Sequence, residues 1–111
     1  MENLLQETIK IIEEHGKNVE SVKWCGTKEV HFEWEEFKML ADIEYDSGYG
    51  SPDVATDLLI VGEDWWLERH EYDGSEWWEF KEMPKQPNEP KTPNKLIGGM
   101  WDSLAEINKW E

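Results

Sequence analysis

Basic residues are scarce in this chain: 11 Lys and Arg stand against 26 Asp and Glu in 111 residues, a formal net charge of −15. A surface of that sign repels phosphate, so direct nucleic-acid binding is not expected. Cysteine is almost absent. The single Cys25 cannot form an intramolecular disulfide, which fits a reducing, cytoplasmic setting. No run of about 18 apolar residues occurs, so no membrane span is expected. The N-terminus carries neither the basic region nor the apolar run of a secretory signal, so export is not expected either. His15, His31 and His70 are scattered, no Cys-x-x-Cys exists, and no glycine-rich stretch has phosphate-cradling spacing. No metal, no cofactor and no catalytic Ser-His-Asp or Cys-His set can be nominated, so the chain reads as a non-enzyme.

The shortage of bases is local. Between Glu29 and Glu82 there are 17 acidic and three basic residues, a net of −14, whereas the flanking segments together carry only −1. The middle of the chain is therefore the acidic object, and a protein partner with a basic surface is the expected counterpart.

Tryptophan is what the chain has in excess, eight in all. Four of them lie in the near-palindrome Asp64-Trp65-Trp66-Leu67-Glu68-Arg69-His70-Glu71-Tyr72-Asp73-Gly74-Ser75-Glu76-Trp77-Trp78-Glu79-Phe80-Lys81. Asp-Gly tolerates the positive φ angles of a tight hairpin turn, so the stretch reads as a β-hairpin turning at Asp73-Gly74. Neighbouring strand residues point to opposite faces. Trp65, Leu67, Arg69, Trp78 and Phe80 then share one face, and Trp66, His70, Tyr72 and Trp77 share the other with Glu68, Glu79 and Lys81. The first face is expected to pack on a helix. The second is either covered by the rest of the chain or offered to a partner, and the candidate partner-binding residues are Glu63, Asp64, Glu68, Glu71, Glu76 and Glu79 with Trp66, Tyr72 and Trp77.

The other elements follow from periodicity. Leu4, Leu5, Thr8, Ile9, Ile11, Ile12 and His15 fall at helical spacing, with Asn3 as N-cap, Gln6 in the capping-box position and Gly16 as terminator. Strands are expected at Val19 to Trp24 and Lys28 to Trp34. Residues 35–45 favour a short helix with Phe37, Leu40 and Ala41 inward, although a strand-like alternation is also present. Asp46 to Pro52 reads as a loop and Asp57 to Val61 as a strand, which with the Trp hairpin makes a three-stranded meander. Pro84, Pro87, Pro90 and Pro93 recur every third residue, the repeat of polyproline II, and the run is long enough to cross the second sheet face. An amphipathic helix is expected around Gly99 to Trp110, carrying Ile97, Met100, Trp101, Leu104 and Ile107. The expected fold is α+β: an N-terminal helix on an antiparallel sheet (residues 1–83), a proline-rich strap (84–95) and a C-terminal helix (96–111). With the strap over the second face the hairpin would be the centre of a three-layer core, and a partner would meet its acidic edges.

Tyr45-Asp46-Ser47-Gly48-Tyr49-Gly50, then Asp57-Leu58-Leu59-Ile60-Val61-Gly62 and the hairpin from Trp65 to Phe80, resemble a family of small acidic proteins of phages and prophages of low-GC Gram-positive bacteria. The resemblance implies action inside a host cell and assigns no catalytic residue. Carboxylates at alternate strand positions, about 6.6–7 Å apart, match the phosphate pitch of a DNA strand, so an inhibitor imitating nucleic acid is one expectation. The alternative is a structural or assembly module that forms a homodimer through Trp101, Leu104 and Ile107. A distant third is a Mg²⁺ nuclease built on Pro52-Asp53 and Glu79-Phe80-Lys81, weakened by the second Glu-x-Lys triplet, Glu36-Phe37-Lys38, and by the charge of the surface.

Overall fold

A computed structural model describes residues 1–48 and 50–110; Tyr49, in the expected 46–52 loop, and the terminal Glu111 lie outside the described residues. Helix α1 (Leu4–Glu14) starts at Asn3, whose side chain accepts the Gln6 N–H, and ends at Gly16 with φ +74°. It buries Leu4, Thr8 and Ile12, one stripe at the spacing of a helical turn. The Asn3 strand, β1 (Glu2–Asn3), pairs with β4 (Glu44–Tyr45) and ties the end of α2 (Trp34–Ala41) back to the start of α1.

The remaining strands form one antiparallel sheet: β2 (Trp24–Gly26), β3 (His31–Phe32), β5 (Leu59–Val61), β6 (Trp65–Tyr72) and β7 (Ser75–Glu82), in the order β3-β2-β5-β6-β7. The β6–β7 hairpin turns through Asp73 (φ 51°) and Gly74 (φ 86°), both left-handed as a type I′ turn requires. Its register runs unbroken from Tyr72 opposite Ser75 to Trp65 opposite Glu82. The two-residue turn and both face assignments of the hairpin therefore hold.

Both helices lie on one face of the sheet. Cys25, Ile60, Trp65, Leu67 and Trp78 meet Leu4, Ile12, Phe37, Ala41 and Tyr45 in a single buried cluster. Burial pushes the Cys25 thiol up to about 12, which leaves it an inert core residue. Inside this layer the Trp78 Nε1–H donates to Thr8 Oγ1 (2.8 Å) and Thr8 donates to the Leu4 carbonyl (2.7 Å), whereas Nε and Nη1 of the buried Arg69 have no hydrogen-bond partner among the described residues. The Arg69 side chain, 3% exposed, lies over the Trp78 ring at 4.7 Å. Its Nη2 donates to Glu76 Oε1 (2.9 Å) and Tyr45 Oη (3.1 Å), and Nη1 stands 3.7 Å from Glu7 Oε2. Tyr45 in turn donates to Glu7. Glu76 accepts the backbone N–H groups of Asp53 (2.6 Å) and Val54 (3.1 Å), fastening the Asp53–Val54 segment to β7.

Several expectations are corrected. Val19–Ser21 is a 3₁₀ turn rather than a strand, because the Asn18 side chain takes the Glu20 N–H and closes the chain locally. The 28–34 strand shrinks to His31–Phe32, since Glu33 caps α2 and Trp34 opens it. Helix α2 forms as favoured, but Leu40 is 74% exposed; Phe37 and Ala41, one turn apart, are buried in the core and Trp34 packs against it. The proline run bends at Asn88–Glu89, and residues 82–92 are exposed throughout, so no strap lies buried against the sheet. Among the described residues no third layer covers the second face, and the hairpin is the edge of a sheet covered on one side.

The C-terminal helix is also shorter than expected. It is α3 (Leu104–Asn108), with Ser103 and Glu106 forming a reciprocal capping box that outcompetes the start at Gly99. Met100 and Trp101, read as helical, are left-handed at φ 42° and 84°, and Trp101 is 100% exposed. Asn108 organises this end, accepting from the Asn94 and Lys95 N–H groups and donating to the carbonyls of Lys95 and Leu104. With this segment standing away from the body, the radius of gyration is 18.3 Å and the longest dimension 52 Å.

Candidate partner-binding face

Cross-strand partners lie on the same side of a sheet, so the register defines the face that the helices leave open. One row carries Trp24, Val61, Trp66 and Lys81; the next carries His31, Gly26, Leu59, Glu68 and Glu79; then come His70 with Trp77 and Tyr72 with Ser75. No residue of these rows is buried except Gly26, and Trp24, Leu59, Val61, Trp66 and Trp77 are half-buried. Tyr72, at the turn, is 76% exposed.

The palindrome becomes a symmetric side-chain arrangement here. On β6 the Trp66 Nε1–H donates to Glu68 Oε1 (2.7 Å), and on β7 the Trp77 Nε1–H donates to Glu79 Oε2 (3.2 Å). Glu68 and Glu79 are directly opposite each other, a like-charge pair that costs energy unless donors surround it. They do: His70 Nε2 is 2.7 Å from Glu68, and Lys81 Nζ is 3.3 Å from Glu79. The hydrogen bond from Trp66, then that from His70, holds the Glu68 carboxyl below its usual range, and the Trp77 and Lys81 contacts do the same for Glu79. Two ionised carboxylates are thus fixed between the N–H edges of two indoles. Carboxylate plus aromatic ring is the chemistry that receives a guanidinium or ammonium group.

At its β2–β3 end the face is divided by the Thr27–Val30 turn into two open grooves of about 450 and 430 Å³, the first beside Trp24 and Lys28, the second beside Leu59 and Glu68. Gly26 makes this wall possible: with φ +145°, it brings the Val30 carbonyl to where a Cβ would stand 2.2 Å away. Lys23 and Lys28 make this end less acidic than the hairpin end.

The nominated residues are thus divided. Glu68, Glu79, Trp66, Trp77 and Tyr72 share the open face. Glu63 and Asp64 lie in the β5–β6 turn, where Lys23 (3.4 Å) and Lys17 (4.0 Å) approach them. Glu71 and Glu76 lie on the opposite face. Glu76 is buried and holds Arg69, so it is a structural ion-pair member and not a partner contact. Burial alone would raise its carboxyl, but the Asp53 N–H, Arg69 and the Val54 N–H together hold it below the usual range. The sequence reading missed Trp24, Leu59 and Val61. For Leu59 and Val61 the signal was the uninterrupted apolar run Leu58 to Val61, which has side chains for both faces of a strand.

The regular carboxylate row needed to imitate a phosphate backbone is not assembled on this face. One Glu pair is followed along the strands by Lys81 on one side and His70 on the other. Among the described residues, no group of three His, Cys, Asp or Glu is placed to hold a metal ion, and Glu79 faces away from the loop that carries Asp53. No helix among the described residues is long and apolar enough to cross a membrane. Comparison with protein-family models, curated proteins and solved structures finds no match for this chain.

Proposed function

We propose that this chain is a non-enzymatic binding protein, acting in a phage-infected or lysogenic host cell, that engages a basic surface of a host protein through the open sheet face. The observation that carries the reading is the Glu68–Glu79 pair held ionised between Trp66 and Trp77. An Arg or Lys side chain entering between the indoles gains a charge-assisted hydrogen bond and a cation–π contact together. If the surface bound is a nucleic-acid groove, the chain inhibits that protein by occupancy rather than by reproducing a phosphate ladder.

The test is capture of host proteins at low and high salt by the wild type and by the double variant Glu68→Gln/Glu79→Gln. The reading expects a basic partner retained by the wild type at low salt, released at high salt, and lost in the double variant. Equal capture by both proteins overturns it.

A second reading, self-association through the C-terminal segment, is favoured by one observation: Leu96, Ile97, Met100 and Trp101 are all largely exposed there. It expects a dimer mass that returns to monomer in Trp101→Ser.

A further inference from the structure

The sheet has two edges of unequal character. One is β3, only two residues long, and so a poor template for a further strand. The other is β7, eight residues paired to β6 without a bulge or a proline. Long, regular edges are usually blunted, because their outward N–H and C=O groups recruit another strand. Which groups point outward here is fixed by two bonds. The Met83 N–H reaches back to the Asp64 carbonyl on the β6 side, whereas the Glu76 N–H reaches out to the Ser47 carbonyl. Backbone direction alternates along a strand, so Trp78, Phe80 and Glu82 present their N–H and C=O groups outward. Among the described residues, nothing pairs with those three N–H groups.

We infer that this edge is a homodimer interface in which β7 pairs antiparallel with β7 of a second copy about a two-fold axis at Phe80. The register is chosen by charge. With Phe80 opposite Phe80 of the second copy, Glu79 stands opposite Lys81 and Lys81 opposite Glu79, two complementary pairs on the open face. Moving the axis one residue opposes Glu79 to Glu79 or Lys81 to Lys81, and like charges directly opposite destabilise a sheet.

The ends of the pairing agree with the same register. Glu76, whose outward N–H is already taken by Ser47, falls opposite Pro84, which has no N–H to give. Between these limits the Phe80 pair and the two Trp78–Glu82 pairs each exchange both backbone bonds. Trp77 comes opposite Met83, which is 62% exposed and whose thioether suits an aromatic face. The contact is isologous and closed, and it joins two open faces into one surface. It shares Glu79 and Trp77 with the proposed host-partner site, but its salt dependence has the opposite sign. Two chains of net charge −15 repel, so added salt favours the dimer, while it releases a basic partner.

The experiment is a mass measurement by sedimentation equilibrium over a range of concentrations, with two charge reversals. The wild type is expected to rise from monomer to dimer. Glu79→Lys alone sets Lys against Lys81, and Lys81→Glu alone sets Glu against Glu79, so each variant is expected to weaken dimerisation at least tenfold. Mixed in equal amounts, the two variants restore both complementary pairs and are expected to form the heterodimer. A wild type that stays monomeric, variants that dimerise as well as the wild type, or a mixture that does not recover overturns the inference. Amide exchange in the wild type covers the case of a variant that misfolds. The Trp78, Phe80 and Glu82 amides should gain protection with concentration while Trp77 and Glu79 stay constant; no change at those three amides also overturns it. Loss of the dimer in Trp101→Ser with no change in these amides would assign association to the C-terminal segment instead.

Discussion

The two Trp pairs of the hairpin look interchangeable in sequence, yet their members live in different media. Trp65 and Trp78 are 2% and 3% exposed and meet the helices, while Trp66 and Trp77 remain half-buried on the open side. On the core side an indole N–H finds a neutral hydroxyl, Thr8, inside a packed layer. On the open side each indole N–H orients a carboxylate toward solvent. The same residue type serves cohesion on one face and presentation of charge on the other, and strand alternation alone decides which.

The sharpest way to break that comparison is to truncate one tryptophan from each side. Trp78→Ala removes a buried ring and the cover of Arg69, and should cost about 3–5 kcal/mol by denaturant titration. Next comes Glu76→Gln, which leaves Arg69 buried without its closest carboxylate and should cost about 3 kcal/mol at neutral pH. Its pH dependence has a definite sign. The folded-state Glu76 carboxyl is lowered from 4.5, so its contribution is complete above that value and disappears as pH falls through the lowered folded value. The wild type should therefore lose stability on acidification more steeply than Glu76→Gln, and parallel curves would contradict the ion pair. Thr8→Val, which strips the acceptor from the Trp78 indole, should cost about 1–3 kcal/mol. Trp77→Ala should shift stability least, by about 1 kcal/mol or less, while weakening capture of the basic partner at least tenfold. Acrylamide quenching reads the same contrast directly: Trp66, Trp77 and Trp101 should quench, and Trp65 and Trp78 should not.

What the sequence disclosed was whatever local chemistry decides. The Asp73-Gly74 turn sets the hairpin register, and alternation then assigns its side chains to their faces without any tertiary information. Helix α1 was legible for the same reason, because its cap, stripe and terminator all lie between Asn3 and Gly16. The misreadings fall where a local bond competes with a pattern. Asn18 closes a 3₁₀ turn inside an apparently strand-like run, and Ser103 starts α3 later than the apolar spacing suggests. The strap failed differently. A three-residue proline period states a conformation but not a destination, and nothing in the period says which surface, if any, the ridge meets. The candidate site was half legible, since the hairpin's share of the face came from its own register. The contributions of Trp24, Leu59 and Val61 depend on β5 lying between β2 and β6, a neighbour relation that no local signal encodes.

The outstretched C-terminal quarter also sets how the molecule moves through solvent. A radius of gyration of 18.3 Å is that of a compact globule of roughly 260 residues. A lone chain should therefore tumble slowly for its mass and leave a sizing column early, near the volume of a compact protein twice its weight. Elution position would mimic a dimer even where none exists. Removing residues 84–111 should bring the remainder close to compact dimensions, and the size of that drop measures how far the segment stands from the body.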